Sequence, residues 1–588
     1  MARVSVPVAH HLPAHTLDIR LWRTAFLALI ILECVPVWVF HYFPSQDGPS
    51  HLHNASVLAH YGTTPIYQQY YRIVPFAPAG NMLTQFLMAA LLKVTEPQLA
   101  EKVLLSSYFI LFFVSFRYML RALTPYADYF AVFSGILVPN FFLYKGFWNF
   151  SFSVSFLMLT IGYYLRQQSC CAPTGQSQVS TGDSLSNHWG RSRLQSSVLL
   201  LAGLILYLTH IVSWVICILA VAVLGLPQLI CAVHGRQNSA LSLAARRALL
   251  QYSLPICSLL PPIIFMLSHL AHSQEESVCA AEPSSFRERL WPLYSLSFLN
   301  TIAGSDPMLT RVVAITLLIA SFCVVGVILC RRQYHWPSSS VLALSLICAA
   351  LVVVGPDCVG SGSYIHQRVA LFALLFFIVW LASALPAWPR LALNVLSALF
   401  CAITVITFAV RVPVLSELNR GLSDFVHVGQ KIRPGSTVLA LCTERHQGVD
   451  PFRHAVGLLT AKTIIDLRNY EASTDYFTTR FQADRSPFPA LGTPKQLEAV
   501  PPVFDIRRYE RETTGRVDYI LCYGSYECAE EAIAFPQDRP YRHQISGYTL
   551  VQSMPSRWLG HIALYQRTPA GAIEGAGEWG GVPQQGNR

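Results

Sequence analysis

Long apolar runs fill most of this sequence and constrain its fold more than any other feature. From about Leu21 to Val412 they follow one another with only short polar loops between them. One such run could be a buried helix of a soluble domain, but about eleven of them require a bilayer, in which helices satisfy their own backbone hydrogen bonds. Only 13% of the 588 residues are charged, against about 25% in soluble domains. The sequence therefore predicts a polytopic α-helical membrane protein.

About 11 transmembrane helices are predicted from the apolar runs. They cover residues 24–41, 103–122, 127–143, 147–166, 196–211, 213–233, 249–271, 311–330, 338–355, 368–386 and 391–411. A further apolar stretch, 81–94, is shorter than the roughly 20 residues of a span. It is also interrupted by Thr84, Gln85 and Lys93, so we interpret it as an interfacial or re-entrant helix.

The charges between the spans predict the orientation of the chain. Placing the N-terminus in the cytoplasm leaves the arginine-rich loops inside and the loops with more acidic residues outside, as the positive-inside rule requires. These inner loops contain Arg117, Arg121, Arg191, Arg193, Arg236, Arg246, Arg247, Arg331, Arg332 and Arg390. The net charge of +10 comes largely from such loops and not from a basic stripe with aromatic residues, so no nucleic-acid partner is expected.

The composition changes after Arg411 and defines a second part of the chain. Residues 1–411 form the membrane module, with a first outer loop over 43–101, and residues 412–570 have soluble composition. Two short, mostly apolar runs, Ser436–Cys442 and Val517–Cys522, predict strands of a small C-terminal extracytoplasmic α/β domain.

Two features of the C-terminal part concern its ends and its cysteines. Residues 571–588 are rich in Gly and Gln and are interpreted as a flexible tail. Cys522 and Cys528 could form a disulfide if the domain faces an oxidising compartment.

The first outer loop contains the leading catalytic candidate. Asp47 follows the first span within a Pro/Gly-rich turn, and His51 comes four residues later. A carboxylate at the membrane edge can take a proton from a hydroxyl group or hold a metal ion. The alternative interpretation is that Asp47 only caps a helix or forms a turn.

Further polar candidates lie at the predicted outer ends of the middle spans. Lys145 and Asn149 occur in the turn between the third and fourth spans, and His210 ends the fifth. Lys145 departs from the positive-inside trend and could meet a phosphate or a carboxylate, although it could equally snorkel in an aromatic belt. A single His at a helix end is more often structural.

A glycine-bearing outer loop, 355–368, leads directly into an apolar helix. It contains Asp357, Tyr364, His366 and Arg368. An arginine at the start of a membrane helix is costly unless it is paired or meets an anion. Arg368 therefore either binds a phosphate or forms a salt bridge, for example to Asp357.

Together these features resemble the GT-C class of membrane glycosyltransferases, which includes protein mannosyltransferases, oligosaccharyltransferases and bacterial aminoarabinose transferases. The resemblance covers the whole layout: a first helix, a long outer loop with an early acid, interfacial helices, about eleven spans and an extracytoplasmic C-terminal domain. It implies a polyprenyl-phosphate sugar donor, a glycan, lipid or protein acceptor, and contact with membrane lipid. It also implies a bacterial inner membrane, with the C-terminal domain in the periplasm.

By resemblance, Asp47 is the catalytic acid of the first outer loop and acts as general base. Arg368, with His366 and Lys145, would stabilise the donor phosphate. Many members of the class carry paired acids in this loop, whereas Gln46-Asp47-Gly48 has one, which favours transfer without a divalent metal. A transporter or flippase for a lipid-linked glycan, or a non-catalytic assembly factor, is the competing interpretation.

Overall fold

The computed structural model describes most of the chain. The described residues are 16–74, 80–171, 185–234, 252–272, 285–302, 306–331, 336–358, 362–385, 388–443, 448–474, 477–499, 502–524 and 544–569. The predicted tail 571–588 and Cys528 lie outside these residues.

The membrane module is built from helices. The helices before the first strand are α1 (Thr16–Val39), α2 (Gly48–His60) and α3 (Pro65–Tyr70), and those after it are α4 (Leu83–Leu92), α5 (Pro97–Leu120), α6 (Ala127–Phe130), α7 (Ser134–Leu137), α8 (Phe141–Lys145), α9 (Trp148–Cys171), α10 (Leu185–Thr209), α11 (Ile211–His234), α12 (252–259), α13 (Ile263–His272), α14 (Phe286–Ser295), α15 (Asp306–Arg331), α16 (Trp336–Val354), α17 (Ile365–Ala384) and α18 (Arg390–Gly429). The predicted spans overlap helical residues, but 127–143 is divided among short helices, 249–271 is interrupted at 260–262, and 249–251 lie outside the described residues.

Among the described residues, six helical segments are long and apolar enough to cross a membrane by themselves. They are Asp18–Val39, Pro97–Leu120, Ala127–Lys145, Pro307–Cys330, Ile365–Ala384 and Arg390–Gly429. Shorter apolar helices, Leu194–Thr209, Ile211–Pro227 and Ser338–Val354, cover three more of the predicted spans. Helix α4 has 10 residues and is too short to span, as the sequence indicated.

Large apolar side chains on the outside of these helices show where lipid contacts the protein. Ile31 on α1, Phe322 and Leu329 on α15, and Leu391 on α18 are all about two-thirds or more exposed. Apolar surface on this scale is not stable in water. The chain is therefore an integral membrane protein.

The C-terminal part has an α/β fold. One five-stranded sheet has the order β3-β2-β5-β7-β6. Its strands are β2 (Thr437–Cys442), β3 (Ile465–Asp466), β5 (Tyr519–Gly524), β6 (Tyr548–Ser556) and β7 (Gly560–Arg567), with short helices α19 (Pro494–Leu497) and α20 (Ile506–Glu512) beside them. Strands β2, β3 and β5 are parallel, and β7 pairs antiparallel with both β5 and β6. The two strands predicted from the sequence are β2 and β5.

Several connections between described residues attach this C-terminal domain to the membrane module. Helix α18 runs without a break for 40 residues, so the last predicted span continues well beyond Arg411. Strand β1 (Tyr71–Ile73) of the first outer loop pairs with β4 (Thr479–Phe481). Gly457 packs so closely on α2 that a Cβ there would lie 2.0 Å from the carbonyl oxygen of Pro49.

A buried ion pair joins the first and last helices of the module. Nη2 of Arg411 on α18 lies 2.8 Å from Oε2 of Glu33 on α1, and both side chains are almost completely buried. A carboxylate within an apolar span is stable only with such a partner. The sequence placed Glu33 in the first span without indicating its partner.

Candidate active site

The polar site begins where α1 ends and α2 starts. Asp47 occupies the position before α2, but its side chain makes no capping hydrogen bond. Only its backbone carbonyl accepts from the N–H of His51, at 3.0 Å. The interpretation of the Asp47 carboxylate as a helix cap is therefore wrong, and the carboxylate is available for other chemistry.

A tight contact with α8 holds the Asp47 backbone in place. The N–H of Asp47 donates to the carbonyl of Lys145 at 3.1 Å. Helix α8 ends at Gly146, which has φ +86°. A Cβ at Gly146 would lie 2.6 Å from the nitrogen of Gly48 and 2.7 Å from that of Asp47. Only glycine fits this left-handed position against the turn.

The amide of Gln46 links Asp47 to Lys145. Gln46 Nε2 donates to Asp47 Oδ1 at 3.0 Å, and Gln46 Oε1 accepts from Lys145 Nζ at 2.7 Å. The same oxygen accepts from the backbone N–H of Asp450, at 3.2 Å. One buried side chain thus joins a carboxylate, an ammonium group and the C-terminal domain.

The C-terminal domain supplies further charged groups around Asp47. His454 Nε2 lies 3.7 Å from Asp47 Oδ1, and Glu471 Oε2 lies 3.3 Å from Nδ1 of His51. Arg453 pairs with Glu498 at the edge of the site. The site is composite, since the outer loop and the C-terminal domain each provide part of it.

Burial and charge act in opposite directions on Asp47. Burial raises the pKa of the Asp47 carboxyl above its usual range, and the Glu471 carboxylate raises it further. The cations Arg453, Lys145 and His51 lower the pKa again, without cancelling the rise. A carboxyl with a raised pKa is a stronger base once ionised.

The pKa values of the two histidines beside Asp47 are shifted in opposite directions. Burial lowers the pKa of His51, but Glu471 and Asp47 reverse this and raise the pKa above its usual value. For His454, burial and then Arg453 hold the pKa well below 6.5, so this ring is neutral at pH 7. Its Nδ1 is buried and, among the described residues, has no hydrogen-bond partner.

Arg368 lies at the start of α17 in an aromatic environment. Its guanidinium lies 4.8 Å from the ring centroid of Phe147 and 5.4 Å from that of Phe150. Because a guanidinium can only donate, its Nη1 donates to Nε2 of His210, at 3.1 Å. Its Nε is buried and has no hydrogen-bond partner in the part of the chain that the structure describes.

The salt bridge considered between Arg368 and Asp357 is not formed. Asp357 Oδ1 instead lies 3.2 Å from Nδ1 of His366, and Nε2 of His366 lies 3.0 Å from the carbonyl oxygen of Gly355. Both ring nitrogens of His366 are thus engaged within their own loop. His366 is therefore better placed to hold the conformation of this loop than to bind a phosphate.

Tyr364 connects the Arg368 region to Lys145. Its ring lies 5.4 Å from that of Phe141 and 5.9 Å from that of Phe147, and Lys145 Nζ lies 5.7 Å from its centroid. An aromatic wall therefore separates two buried cations, Lys145 and Arg368. A phosphate group with an apolar chain would match such a surface.

Asn149 has a structural position instead. Its Nδ2 donates to the carbonyl of Asn81 at 2.9 Å, and its Oδ1 accepts from the N–H of Thr84 at 2.9 Å. All these contacts fix the start of α4 on α9. The side chain of Asn149 is committed to holding the first outer loop.

The described residues do not include a group of side chains arranged to bind a metal ion. Across the described ranges, no group of three or more His, Cys, Asp or Glu side chains is arranged to hold an ion. The side chains in contact with the Asp47 carboxylate include an amide, that of Gln46, and a histidine, His454. No step of the chemistry is therefore assigned to a metal.

Sequence reasoning missed the contribution of the C-terminal domain. Arg453 and His454 lie in the short segment Asp450-Pro-Phe-Arg-His454. In the sequence, the only signal for a site here was that two residues with ionisable side chains, Arg453 and His454, are adjacent. Nothing in the sequence indicated that they meet a loop about 400 residues earlier.

Comparisons with known proteins give a structural likeness only. No family model matches this chain, and no curated protein matches its sequence. The chain is similar to the crystal structure of ArnT from Cupriavidus metallidurans bound to undecaprenyl phosphate, with 11% identity, a TM-score of 0.49, and coverage of 94% of this chain and 98% of that chain. For the apo structure of the same protein, the identity is 11%, the TM-score 0.46, and the coverage 93% and 98%.

At this identity and TM-score the likeness assigns no activity to the chain. Its function has to follow from its own residues.

Proposed function

We propose that this chain is a membrane glycosyltransferase that transfers a sugar from a polyprenyl-phosphate-linked donor to an acceptor hydroxyl outside the cytoplasm. The observation that carries the proposal is the Asp47 carboxylate. It is largely shielded, with its side chain 17% exposed, free of a capping role, and linked through Gln46 to the ammonium group of Lys145. This arrangement suits a base that removes a proton beside a departing anion.

The reaction is a single displacement at the anomeric carbon. Asp47 takes the proton of the acceptor hydroxyl while the hydroxyl oxygen forms a bond to that carbon. The bond between the carbon and the phosphate oxygen breaks, and its electron pair leaves with the polyprenyl phosphate. Lys145 and Arg368 stabilise the negative charge that collects on this leaving group.

The aromatic wall supports an apolar carrier on the donor. Phe141, Phe147 and Tyr364 lie between the two cations. A soluble nucleotide sugar would not need such a surface, whereas a polyprenyl chain would bury against it. The acceptor, whether glycan, lipid or protein, would approach from the side of the C-terminal domain.

The disulfides support an extracytoplasmic location for the site. Cys358, in the loop before Arg368, and Cys522, in the C-terminal domain, are both disulfide-bonded. Disulfides persist in oxidising compartments such as the periplasm. This agrees with the orientation predicted from the arginine-rich loops, with the N-terminus in the cytoplasm and the C-terminal domain outside the inner membrane.

The test is turnover of labelled polyprenyl-phosphate sugars by the purified protein in lipid. Release or transfer of the sugar by the wild type supports a glycosyltransferase. Donor binding without turnover across a broad donor panel would favour the second candidate, a transporter or flippase. Neither binding nor turnover would favour a non-catalytic assembly factor.

The contact of Gly146 with Asp47 gives a prediction for the rate. Gly146→Ala puts a methyl group against the backbone of Asp47 and displaces the carboxylate, so we expect turnover to fall by roughly 100-fold, as for a misplacement of about 1 Å. Gly62→Ala is the matched control, because nothing lies within 4 Å of a Cβ there. The measurement is the steady-state turnover of both variants, compared with that of the wild type. Wild-type turnover in Gly146→Ala would contradict a positioning role.

The environment of Asp47 gives a prediction for pH dependence. Because the base works only when ionised and its pKa is raised above 3.8, turnover should fall on the acid side with a midpoint above pH 3.8. Arg453 lowers this pKa, so Arg453→Gln should move the midpoint to higher pH. Rate profiles over pH measure the shift, with Arg508→Gln, from an exposed pair with Glu512, as control. A shift to lower pH would argue against Asp47 as the base.

A further inference from the structure

Three arginines converge on one carboxylate at the end of the module opposite Asp47. Arg23 Nε donates to Asp128 Oδ2 at 3.0 Å, Arg117 Nε donates to Oδ1 at 2.7 Å, and Arg121 Nη2 donates to Oδ1 at 3.2 Å. We call these four residues the arginine cluster. Arg23 lies near the start of α1, and Asp47 follows its other end, so about 24 Å of helix separates the two sites.

The arginine cluster carries more positive charge and more donors than Asp128 can satisfy. Three guanidinium groups and one carboxylate leave two positive charges, and each guanidinium has five N–H donors. The side chains of Arg23, Arg117 and Arg121 are 53%, 23% and 40% exposed, whereas that of Asp128 is 11% exposed. The outward surface of the arginine cluster is therefore cationic, and a second anion can bind there.

An apolar stripe continues from the arginine cluster into the membrane. Leu27 and Ile31 lie on the same face of α1 as Arg23, since they follow it by four and eight residues, and they are 58% and 67% exposed. On the neighbouring helix α5, Ile110 and Val114 precede Arg117 and are 49% and 48% exposed. Exposed hydrogen-bond donors at the end of exposed apolar stripes match the polar head and the apolar chains of a phospholipid.

We propose that the arginine cluster is a binding site for an anionic diacyl phospholipid. The phosphodiester accepts hydrogen bonds from Arg23 and Arg121 in addition to those that Asp128 receives, and an acyl chain lies along Leu27 and Ile31. Arginine suits this contact because its planar donors match the oxygens of a phosphate. A zwitterionic lipid has the same phosphate but adds a cation, which the excess positive charge repels.

The test is native mass spectrometry of the full chain, delipidated in detergent and titrated with dioleoylphosphatidylglycerol, dioleoylphosphatidylcholine or inorganic phosphate. The first bound phosphatidylglycerol should bind at least about tenfold more tightly than phosphatidylcholine, the effect of a charge-assisted hydrogen bond. Equal affinities of the wild type for the two lipids would overturn the proposal. Binding of inorganic phosphate that excludes the lipid would overturn the lipid assignment and identify a free-anion site.

The variant Arg23→Gln/Arg121→Gln localises the effect. It keeps the Arg117–Asp128 pair, and a monodisperse elution profile shows whether it is folded. We expect it to bind both lipids equally, while Arg420→Gln, at an exposed arginine of α18 that pairs with Glu417, keeps the preference for phosphatidylglycerol. The same loss of preference in Arg420→Gln, or none in the double variant, would refute this location.

Discussion

Asp47→Asn should abolish most of the transfer activity while leaving donor binding intact. The amide has nearly the same shape as the carboxylate but cannot take the proton of the acceptor. Loss of a general base lowers rates by about 100- to 10,000-fold. The donor phosphate is assigned to Lys145 and Arg368, so its affinity should change little.

The measurement is single-turnover transfer together with equilibrium binding of the labelled donor. Asp484→Asn is the matched control, because Asp484 lies on the surface of the C-terminal domain and accepts from Thr514 at 2.8 Å. Loss of donor binding together with turnover in Asp47→Asn would indicate a structural role. Full turnover would remove Asp47 from the mechanism and with it the main support for an enzyme.

Glu33→Gln should strongly destabilise the protein. It leaves the Arg411 cation buried beside a neutral amide in the apolar part of the module. Breaking a buried ion pair from one side costs about 3–5 kcal/mol. In contrast, the double variant Glu33→Met/Arg411→Met removes both charges and should recover most of the lost stability.

Thermal unfolding in detergent, followed by circular dichroism, compares these variants. Glu512→Gln is the control, because its pair with Arg508 is exposed and such pairs contribute about 0–1 kcal/mol. A single Glu33→Gln variant as stable as the wild type would show that the pair contributes little. A double variant less stable than the single one would show that the charges themselves are required.

The helices were predictable because hydropathy is a local property. The predicted spans overlap helical residues, and α4 is as short as its interruptions by Thr84 and Gln85 suggested. The strand patterns at Ser436–Cys442 and Val517–Cys522 were likewise local, and they appear as β2 and β5. The order of the strands, with β5 between β2 and β7, could not be read from such patterns.

The candidate site was only partly predictable, because it depends on contacts between distant segments. Asp47 and Lys145 stood out as polar residues at the membrane edge, but their link through Gln46 required the folded chain. The contact of His454 with Asp47 joins the first outer loop to the C-terminal domain. No periodicity or composition signal carries that information. The pairing of Glu33 with Arg411, 378 residues later in the chain, likewise required the folded structure.

The unbroken helix α18 ties the geometry of the site to the membrane itself. Its 40 residues, with Pro413 among them, span about 60 Å and lead from the apolar part of the module into the C-terminal domain. A helix that spans a bilayer thinner or thicker than its apolar length responds by tilting. We expect tilt of α18 to load the contacts that hold the C-terminal domain against the first outer loop, among them the β1–β4 pairing and the hydrogen bond between Asp450 and Gln46. Through these contacts, a change in bilayer thickness would act on the alignment of His454 with Asp47.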